Sequence, residues 1–177
     1  LLLSYALMKR NINSQDVFIS HNKNGKPYLK NNSALFFNIS HSAELSMCVV
    51  SENEVGCDIQ KIKSVNLDLS KRFFTENERD YIFSDSEYNY QLDRFLRLWT
   101  LKESVLKAVG LGLALDMRNI DFSLHETVSD DKASKINGEQ GTVDRRYYTN
   151  VNGEEFIGYV LNAPEGYSAS YVEKIIK

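Results

Sequence analysis

The sequence has few of the residues that bind zinc or form disulfides. Its 177 residues include two cysteines, Cys48 and Cys57, and three histidines. Neither cysteine lies in a C-x-x-C pair, so we expect no zinc site. Both cysteines lie in apolar, strand-like runs, which predicts buried, reduced thiols and fits a reducing cytoplasm.

The sequence also lacks a long hydrophobic run and a strong net charge. No stretch reaches the ~18 apolar residues that a membrane span requires, so no membrane association is expected. The formal charge of −3 gives no electrostatic reason to expect nucleic acid as a partner. The opening residues LLLSYALMKR lack the flanks of a signal peptide and an initiator methionine. We interpret them as the end of a helix that starts upstream.

The remaining composition is that of a globular chain, and the order of predicted elements favours an α+β fold. Residues 44–62 are predicted to form an antiparallel hairpin around the turn SENE. Thr75 and Glu78 have the spacing of a capping box, and a helix from about Leu92 to Val109 is predicted to end at Gly110. Further strands are predicted at 119–124, 145–151, 155–161 and 167–173, with a loop over 125–141.

The long helix contains a carboxylate within its apolar stripe. At about 100° per residue, Glu103 falls in one arc together with the following residues: Leu92, Leu96, Trp99, Leu106 and Gly110. Glu103 could form an exposed pair with Lys107 four residues on. Because a buried carboxylate is costly unless a cation compensates it, the position in the stripe favours a polar site between packed elements.

Two shorter stretches could contribute to such a site. In VGCDIQ, Asp58 and Gln60 share a strand face with Gly56 and could offer oxygen ligands to Mg²⁺, although a solvated strand face would show the same pattern. In FNISHS (37–42), the polar residues could donate to phosphate oxygens, with Lys26 adding charge. The alternative is turn chemistry, in which Ser and Asn side chains satisfy the local backbone.

These stretches occur in an order that resembles a known family. GKP (25–27), FNISHS (37–42), VGCDIQ (55–60), RFFTENE (72–78) and WTLKESVLKAVGLGL (99–113) together resemble the surfactin-type 4′-phosphopantetheinyl transferases. The hallmark of that family is a G-[IV]-D strand followed by a W-x-x-K-E-[SA]-x-x-K helix. The resemblance covers roughly residues 1–175, and only the region 25–113 is specific.

The resemblance implies a fold and an activity. It implies two similar α+β lobes related by a pseudo-twofold, here 1–52 and 53–177, with coenzyme A in the cleft between them. Such enzymes use Mg²⁺ to transfer the phosphopantetheine arm of coenzyme A to a serine of an apo acyl or peptidyl carrier protein. They release adenosine 3′,5′-bisphosphate. Two lobes in one chain would make a monomer sufficient.

The resemblance also implies roles for individual residues. Asp58 matches a metal ligand, and Glu103 matches a metal-binding carboxylate that is a candidate base. A metal-bound water could serve as the base instead of Glu103. Lys102 and Lys107 match lysines near the pyrophosphate. The resemblance also implies a catalytic role for Lys107, together with Asp58 and Glu103. Residues matching coenzyme A contacts are Ser40, His41, Lys26 and its neighbour Pro27.

Two further expectations concern the metal and the partner. Gln60 replaces an acid found in many members, which leaves it as a possible ligand through water. The carrier protein is expected to dock near 61–74. The rival hypotheses are another Mg²⁺-dependent enzyme acting on a nucleotide pyrophosphate and a catalytically weakened coenzyme A-binding protein of the same fold.

Overall fold

The computed structural model describes residues 1–127 and 143–176 as an α+β fold. Its helices are α1 (Leu2–Met8), α2 (Ser70–Phe73), α3 (Glu76–Ile82) and α4 (Tyr88–Val109). Its strands are β1 (Ile19–His21), β2 (Pro27–Leu29), β3 (Phe36–Ser42), β4 (Leu45–Ser51), β5 (Val55–Lys61), β6 (Ser123–Thr127), β7 (Val143–Val151), β8 (Glu154–Leu161) and β9 (Tyr167–Lys174). No helix within the described residues is long and apolar enough to cross a bilayer.

The first part of the chain contains two antiparallel pairs, β1 with β2 and β3 with β4. The β3–β4 turn is tight, because Ser42 pairs with Leu45 and Ala43 adopts a positive φ of 49°. Leu3 and Leu7 of α1 pack with Leu29 and Phe37 in a small apolar cluster. Burying these side chains holds α1 against the two hairpins.

The second part of the chain is a five-stranded antiparallel sheet in the order β5-β9-β8-β7-β6, with α4 packed mainly against β5 and β9. Gly56 of β5 permits this packing. A Cβ at that position would lie 2.0 Å from the backbone oxygen of Ser104 and 2.5 Å from the backbone nitrogen of Ala108. The strand face that holds Gly56 and Asp58 is therefore the face covered by α4.

Several predicted elements are confirmed. Helix α4 ends at Gly110, which has a left-handed φ of 71°. The capping box is present, because Thr75 accepts from the Glu78 N–H while the Glu78 side chain accepts from the Thr75 N–H. Cys48 and Cys57 are free thiols, as predicted, but only Cys57 is fully buried and Cys48 is half-buried. Burial raises the pKa of Cys57 to about 12 and that of Cys48 to about 11.

The predicted hairpin over 44–62 is wrong. Strand β4 pairs with β3, and β5 pairs with β9, more than a hundred residues later. Alternation along β5 predicted which side chains share a face, but it carries no information about the partner strand. The strand predicted over 119–124 is also displaced, because Met117–Asn119 forms a 3₁₀ helix and β6 starts at Ser123. The loop predicted over 125–141 lies outside the described residues from 128 onward.

Another apolar cluster joins the two parts of the chain. Val55 and Cys57 of β5 and Tyr171 of β9 pack against Phe36 of β3 and Met47 of β4. The division into lobes at residues 52 and 53 stays a prediction.

Candidate active site

The site forms where β3 meets the free edge of β5. The backbone N–H groups of Cys57, Ile59 and Lys61 donate to side-chain oxygens of β3. Their acceptors are Asn38, Ser40 and Ser42, each 19 residues earlier in the chain. The two strands therefore run in the same direction and are joined through polar side chains, which satisfy backbone donors that a sheet edge would otherwise leave open.

This arrangement assigns a structural role to the FNISHS stretch. Its polar side chains accept hydrogen bonds from backbone N–H groups, as the turn-chemistry alternative supposed. However, these N–H groups belong to β5 and not to the stretch itself. Asn38 and Ser40 are buried. The regular i, i+2, i+4 spacing of small polar residues in one strand is the signal that could have predicted this junction.

Asp58 is the centre of the site. It is 2% exposed. Its Oδ1 accepts from the Ser40 hydroxyl at 2.9 Å and from Lys107 Nζ at 2.6 Å, and its Oδ2 accepts from Gln60 Nε2 at 3.0 Å. These contacts offset the cost of burying a carboxylate.

Lys107 reaches Asp58 from the last turns of α4. Its Nζ also contacts the Ser40 hydroxyl at 3.0 Å and the Cys57 carbonyl at 3.1 Å. The ammonium thus lies between α4, β3 and β5. The structure therefore pairs Lys107 with Asp58. The sequence alone had suggested an exposed pair of Lys107 with Glu103 as the alternative.

Glu103 lies one helical turn before Lys107 and is half-buried. Burial raises the pKa of its carboxyl group, and the negative charge of Asp58 raises it further, while Lys107 lowers it. Two carboxylates and one lysine therefore interact electrostatically in a partly buried setting. This pattern of perturbed groups is typical of functional sites.

The structure places the predicted phosphate contacts of β3 in different environments. Ser40 is buried, and its hydroxyl donates to Asp58 while accepting from Ile59 N–H and Lys107. A hydroxyl has one donor and two acceptor positions, so none is left for a phosphate in this arrangement. His41 follows it on the other strand face and is exposed.

Lys26 and Pro27 lie at the end of α4. Lys26 Nζ donates to the backbone carbonyl of Ala108, and Asn24 Nδ2 donates to that of Gly110 at 2.9 Å. Burial lowers the pKa of Lys26, and Glu54 partly offsets the shift. The loop that carries GKP therefore caps the last carbonyls of α4, where a cation is favoured by the helix dipole.

Lys102 is not part of this cluster, and its expected position near a pyrophosphate stays a prediction. Its side chain is 0% exposed and its Nζ contacts Glu78 at 2.5 Å. Two backbone carbonyls, of Phe73 and Met117, take its remaining donors at 3.1 and 2.9 Å. The Glu78 carboxylate in turn accepts from the backbone N–H groups of Thr75 and Phe122.

The pair of Lys102 and Glu78 was not predicted from the sequence. Burial raises the pKa of Glu78 and lowers that of Lys102, and each partner's charge opposes the shift of the other. With every donor of the ammonium in use, the pair is a fully hydrogen-bonded connection between α3, α4 and the 3₁₀ turn at Met117. The capping box was visible in the sequence, but the second partner of Glu78 lies in another helix.

The carboxylate oxygens of Asp58 and Glu103 are ligands of the kind that a magnesium ion binds. Mg²⁺ is commonly held by one or two carboxylates and completes its shell with water and substrate phosphates. Asp58 and Glu103 supply two carboxylates, and the effect of Asp58 on the pKa of Glu103 shows that their charges interact. Within the described residues no group of three or more His, Cys, Asp or Glu side chains is placed to hold a metal.

Comparison with known proteins identifies the family. The family model of the 4′-phosphopantetheinyl transferase superfamily matches residues 54–163. This range includes Asp58, Glu103 and Lys107. The chain belongs to the 4′-phosphopantetheinyl transferase superfamily.

Curated relatives carry the same description. The chain is 33% identical over 127 residues to the 4′-phosphopantetheinyl transferase gsp of Aneurinibacillus migulanus, covering 72% of this chain and 52% of that protein. It is 34% identical over 116 residues to the 4′-phosphopantetheinyl transferase Sfp of Bacillus subtilis, covering 65% and 51%. It is 31% identical over 186 residues to the human L-aminoadipate-semialdehyde dehydrogenase-phosphopantetheinyl transferase, covering 89% and 57%. The chain spans about half the length of these relatives.

Proposed function

We propose that this chain transfers the 4′-phosphopantetheine arm of coenzyme A to a serine of an apo carrier protein, releasing adenosine 3′,5′-bisphosphate. The observation that supports this most is the cluster of Asp58, Glu103 and Lys107 at the junction of β3, β5 and α4, inside the range matched by the family. Phosphoryl transfer needs little covalent chemistry from the protein, because positioning and charge compensation supply most of the catalysis.

The side chains of the cluster have separable roles in this proposal. Glu103 takes the proton of the carrier serine as its oxygen attacks the β-phosphate of coenzyme A. Asp58 fixes the position of the cations around it. Lys107 contributes positive charge near the oxygens on which negative charge develops.

Mg²⁺ is the cofactor that we propose for this site. Asp58 and Glu103 would hold it, and Gln60, whose amide lies 3.0 Å from Asp58 Oδ2, would contact it through water. When bound, the ion neutralises negative charge on the pyrophosphate. The residues of the chain that remain for coenzyme A itself are the exposed His41, the Lys26–Pro27 loop and Lys107.

The carrier protein is proposed to dock near residues 61–74. Lys63 is exposed there, as are two apolar side chains, Ile62 and Leu69. Lys71 forms an exposed pair with Asp68. Exposed cations beside apolar side chains suit an acidic protein surface, and they affect association rate and specificity more than affinity. We further propose the cytoplasm as the compartment, because both cysteines are free.

Labelling with fluorescent coenzyme A tests the proposal. The 177-residue chain is incubated with Mg²⁺, the fluorescent coenzyme A and an apo carrier protein, and the carrier is examined by gel fluorescence. Covalent label is expected on the wild-type carrier and not on a carrier whose acceptor serine is replaced by alanine. A bound but untransferred coenzyme A would support the rival coenzyme A-binding protein. Turnover of a nucleotide pyrophosphate without label would support the rival enzyme.

A further inference from the structure

The ammonium of Lys107 occupies a position that a cation cofactor would also seek. It lies 2.6 Å from Asp58 Oδ1, and the side chain of Asp58 is only 2% exposed. The other oxygen of Asp58 is bound by the neutral amide of Gln60. In this arrangement Lys107 supplies the positive charge that makes contact with Asp58.

The same ammonium has no hydrogen-bond donor left for a substrate. A lysine has three N–H groups, and those of Lys107 are directed at Asp58, the Ser40 hydroxyl and the Cys57 carbonyl. A role at the pyrophosphate, as the resemblance implies, therefore requires Lys107 to leave these partners. Its side chain is 30% exposed, so part of it already faces solvent.

We propose that Lys107 is the resident cation of the free site and that a divalent ion displaces it from Asp58. The proposal deepens the proposed function, since it concerns the same site. Two cations cannot both stay at one carboxylate oxygen without strong repulsion, whereas a buried carboxylate with no cation is also unfavourable. Exchange of one cation for the other avoids both states.

The exchange has a consequence for the order of events. When the ammonium leaves Asp58, its N–H groups become available to an anion beside the metal. Ser40 and Gln60 still hold Asp58 in place through their own hydrogen bonds. Binding of the divalent ion would thus free Lys107 to contact the pyrophosphate. In the free protein, Lys107 acts as a positioning residue that holds Asp58.

The first test is a direct Mg²⁺ titration of the metal-free protein by calorimetry, without coenzyme A. Lys107→Met removes the ammonium and keeps the aliphatic stem. We expect it to bind Mg²⁺ at least about fivefold more tightly than wild type. Lys174→Met is the matched control, because Lys174 Nζ also lies 2.6 Å from a carboxylate oxygen, of Glu154, and its side chain is 29% exposed. That variant should bind Mg²⁺ as wild type does.

The second test separates displacement from simple repulsion through space. Acylation of lysines by an amine-reactive ester, read by peptide mass spectrometry, should become faster at Lys107 as Mg²⁺ saturates wild type. Lys102, which is 0% exposed, and the exposed Lys71 serve as unreactive and reactive internal references. Subsequent addition of coenzyme A should slow the reaction of Lys107 again.

Several outcomes would overturn the proposal. It fails if Lys107→Met binds Mg²⁺ no more tightly than wild type, if neither protein binds Mg²⁺, or if acylation of Lys107 does not rise with the metal. A circular dichroism melt of Lys107→Met identifies a folding defect, and Lys107→Gln then replaces it. Carrier labelling is a separate measurement. Absence of label together with Mg²⁺-dependent acylation would reject the transferase proposal and keep the exchange.

Discussion

Glu103 is the residue at which the competing charges of the site are most evident. Its carboxyl group is half-buried, and burial is the main reason that its pKa is raised. The charge of Asp58 adds to this effect and Lys107 opposes it. A carboxylate in this setting costs the folded state free energy whenever it is ionised, which is the usual exchange of stability for function at such sites.

Glu103→Gln should therefore remove turnover while it stabilises the protein. The folded pKa is raised, so wild type loses stability as pH rises from the unfolded value of ~4.3 through the folded value. Glutamine does not titrate. The excess free energy of unfolding of the variant should be smallest below that window and largest above it, as measured by urea unfolding at a series of pH values.

The activity of wild type should fall at acidic pH, because Glu103 must be ionised to accept a proton. Raising the Mg²⁺ concentration should shift the acidic limb of the rate profile to lower pH, because a bound cation favours the ionised carboxylate. A variant with near wild-type turnover at neutral pH would show that Glu103 is not the base.

Some residues of the site could be predicted from the sequence. Asp58 and Glu103 could be selected because each is a carboxylate at a position where its neighbours are apolar or small. Ser40 was selected as a phosphate contact, and its hydroxyl bonds to a carboxylate, a backbone N–H and a lysine in the structure. A hydroxyl suits all of these partners equally well, so its residue type does not distinguish them. Its three contacts come from β5 and α4, 18 to 67 residues away, and no local pattern specifies them.

At the scale of elements, α4 determines how the site is built. Buried residues lie around most of its circumference, including Thr100, Leu101, Ser104 and Val105 outside the predicted stripe, whereas Trp99 and Glu103 within the stripe are only half-buried. Such a helix is a core helix, and periodicity alone does not distinguish its faces. This explains why Lys102 and Lys107, both near the edges of the predicted arc, have different surroundings.

The close approach of α4 to β5 depends on Gly56. Gly56→Ala would place a methyl group within 2.0 Å of the Ser104 carbonyl oxygen, and backbone atoms cannot move aside as side chains can. We expect a loss of about 3 kcal/mol or more in the free energy of unfolding, together with a large loss of activity as Glu103 and Lys107 shift. Urea unfolding and carrier labelling measure the two effects.

Gly158→Ala is the matched control for this variant. It is also in a strand of the same sheet, but its added methyl would meet mainly the flexible end of Leu101 at 2.7 Å. The loss of stability should be smaller, about 1–2 kcal/mol. Equal losses in the two variants would contradict the role assigned to Gly56.

The buried pair of Lys102 and Glu78 connects α3 to α4. Lys102→Met should destabilise the protein by about 3–5 kcal/mol, because it leaves the Glu78 carboxylate buried without its cation. The double variant Lys102→Met, Glu78→Gln should recover much of this loss. Glutamine carries no charge and still completes a capping box.

Thermal unfolding of both variants checks this prediction. Recovery in the double variant identifies the uncompensated charge as the cause of the loss. If the double variant is no more stable than the single one, the lost hydrogen bonds to Phe73 and Met117 are the cause instead. Coenzyme A affinity of a folded Lys102→Met variant should stay close to wild type, because the buried ammonium does not reach a ligand.

Element order and type could be read from the sequence to a useful extent. The capping box at Thr75, the end of α4 at Gly110 and the last three strands are where local patterns placed them. Strand pairing could not be predicted in this way. Strands β5 and β9 are far apart in the sequence, and they become neighbours only when the chain between them folds. The family resemblance supplied the assignment of site residues that local patterns left open.

At the scale of the whole molecule, the polar junction between β3 and β5 joins the first part of the chain to the sheet that carries Asp58. The ladder of Asn38, Ser40 and Ser42 fixes the register of this junction. A second contact lies at the other end of the site, where the loop containing Lys26 caps α4. The position of the site residues thus depends on both parts of the chain.

The segment 61–74 is where we expect a second protein to bind. Lys63→Glu should raise the KM for an acidic carrier protein by about threefold to tenfold and leave the KM for coenzyme A unchanged. The effect should shrink in high salt, because exposed charges are screened. Lys9→Glu makes the same charge change at the exposed residue that caps the end of α1 and should have no effect on either constant. A change confined to the coenzyme A constant would contradict docking at this segment.

The central claim is that the cluster of Asp58, Glu103 and Lys107 carries out phosphopantetheinyl transfer. The most direct measurement is intact-mass spectrometry of an apo carrier protein incubated with coenzyme A, Mg²⁺ and the 177-residue chain, with adenosine 3′,5′-bisphosphate quantified in the same reaction. We predict one phosphopantetheine on the acceptor serine for each bisphosphate released with wild type, and neither product with Asp58→Asn or Glu103→Gln. Equal product with wild type and both variants, or bisphosphate release without modification of the carrier, would contradict the account.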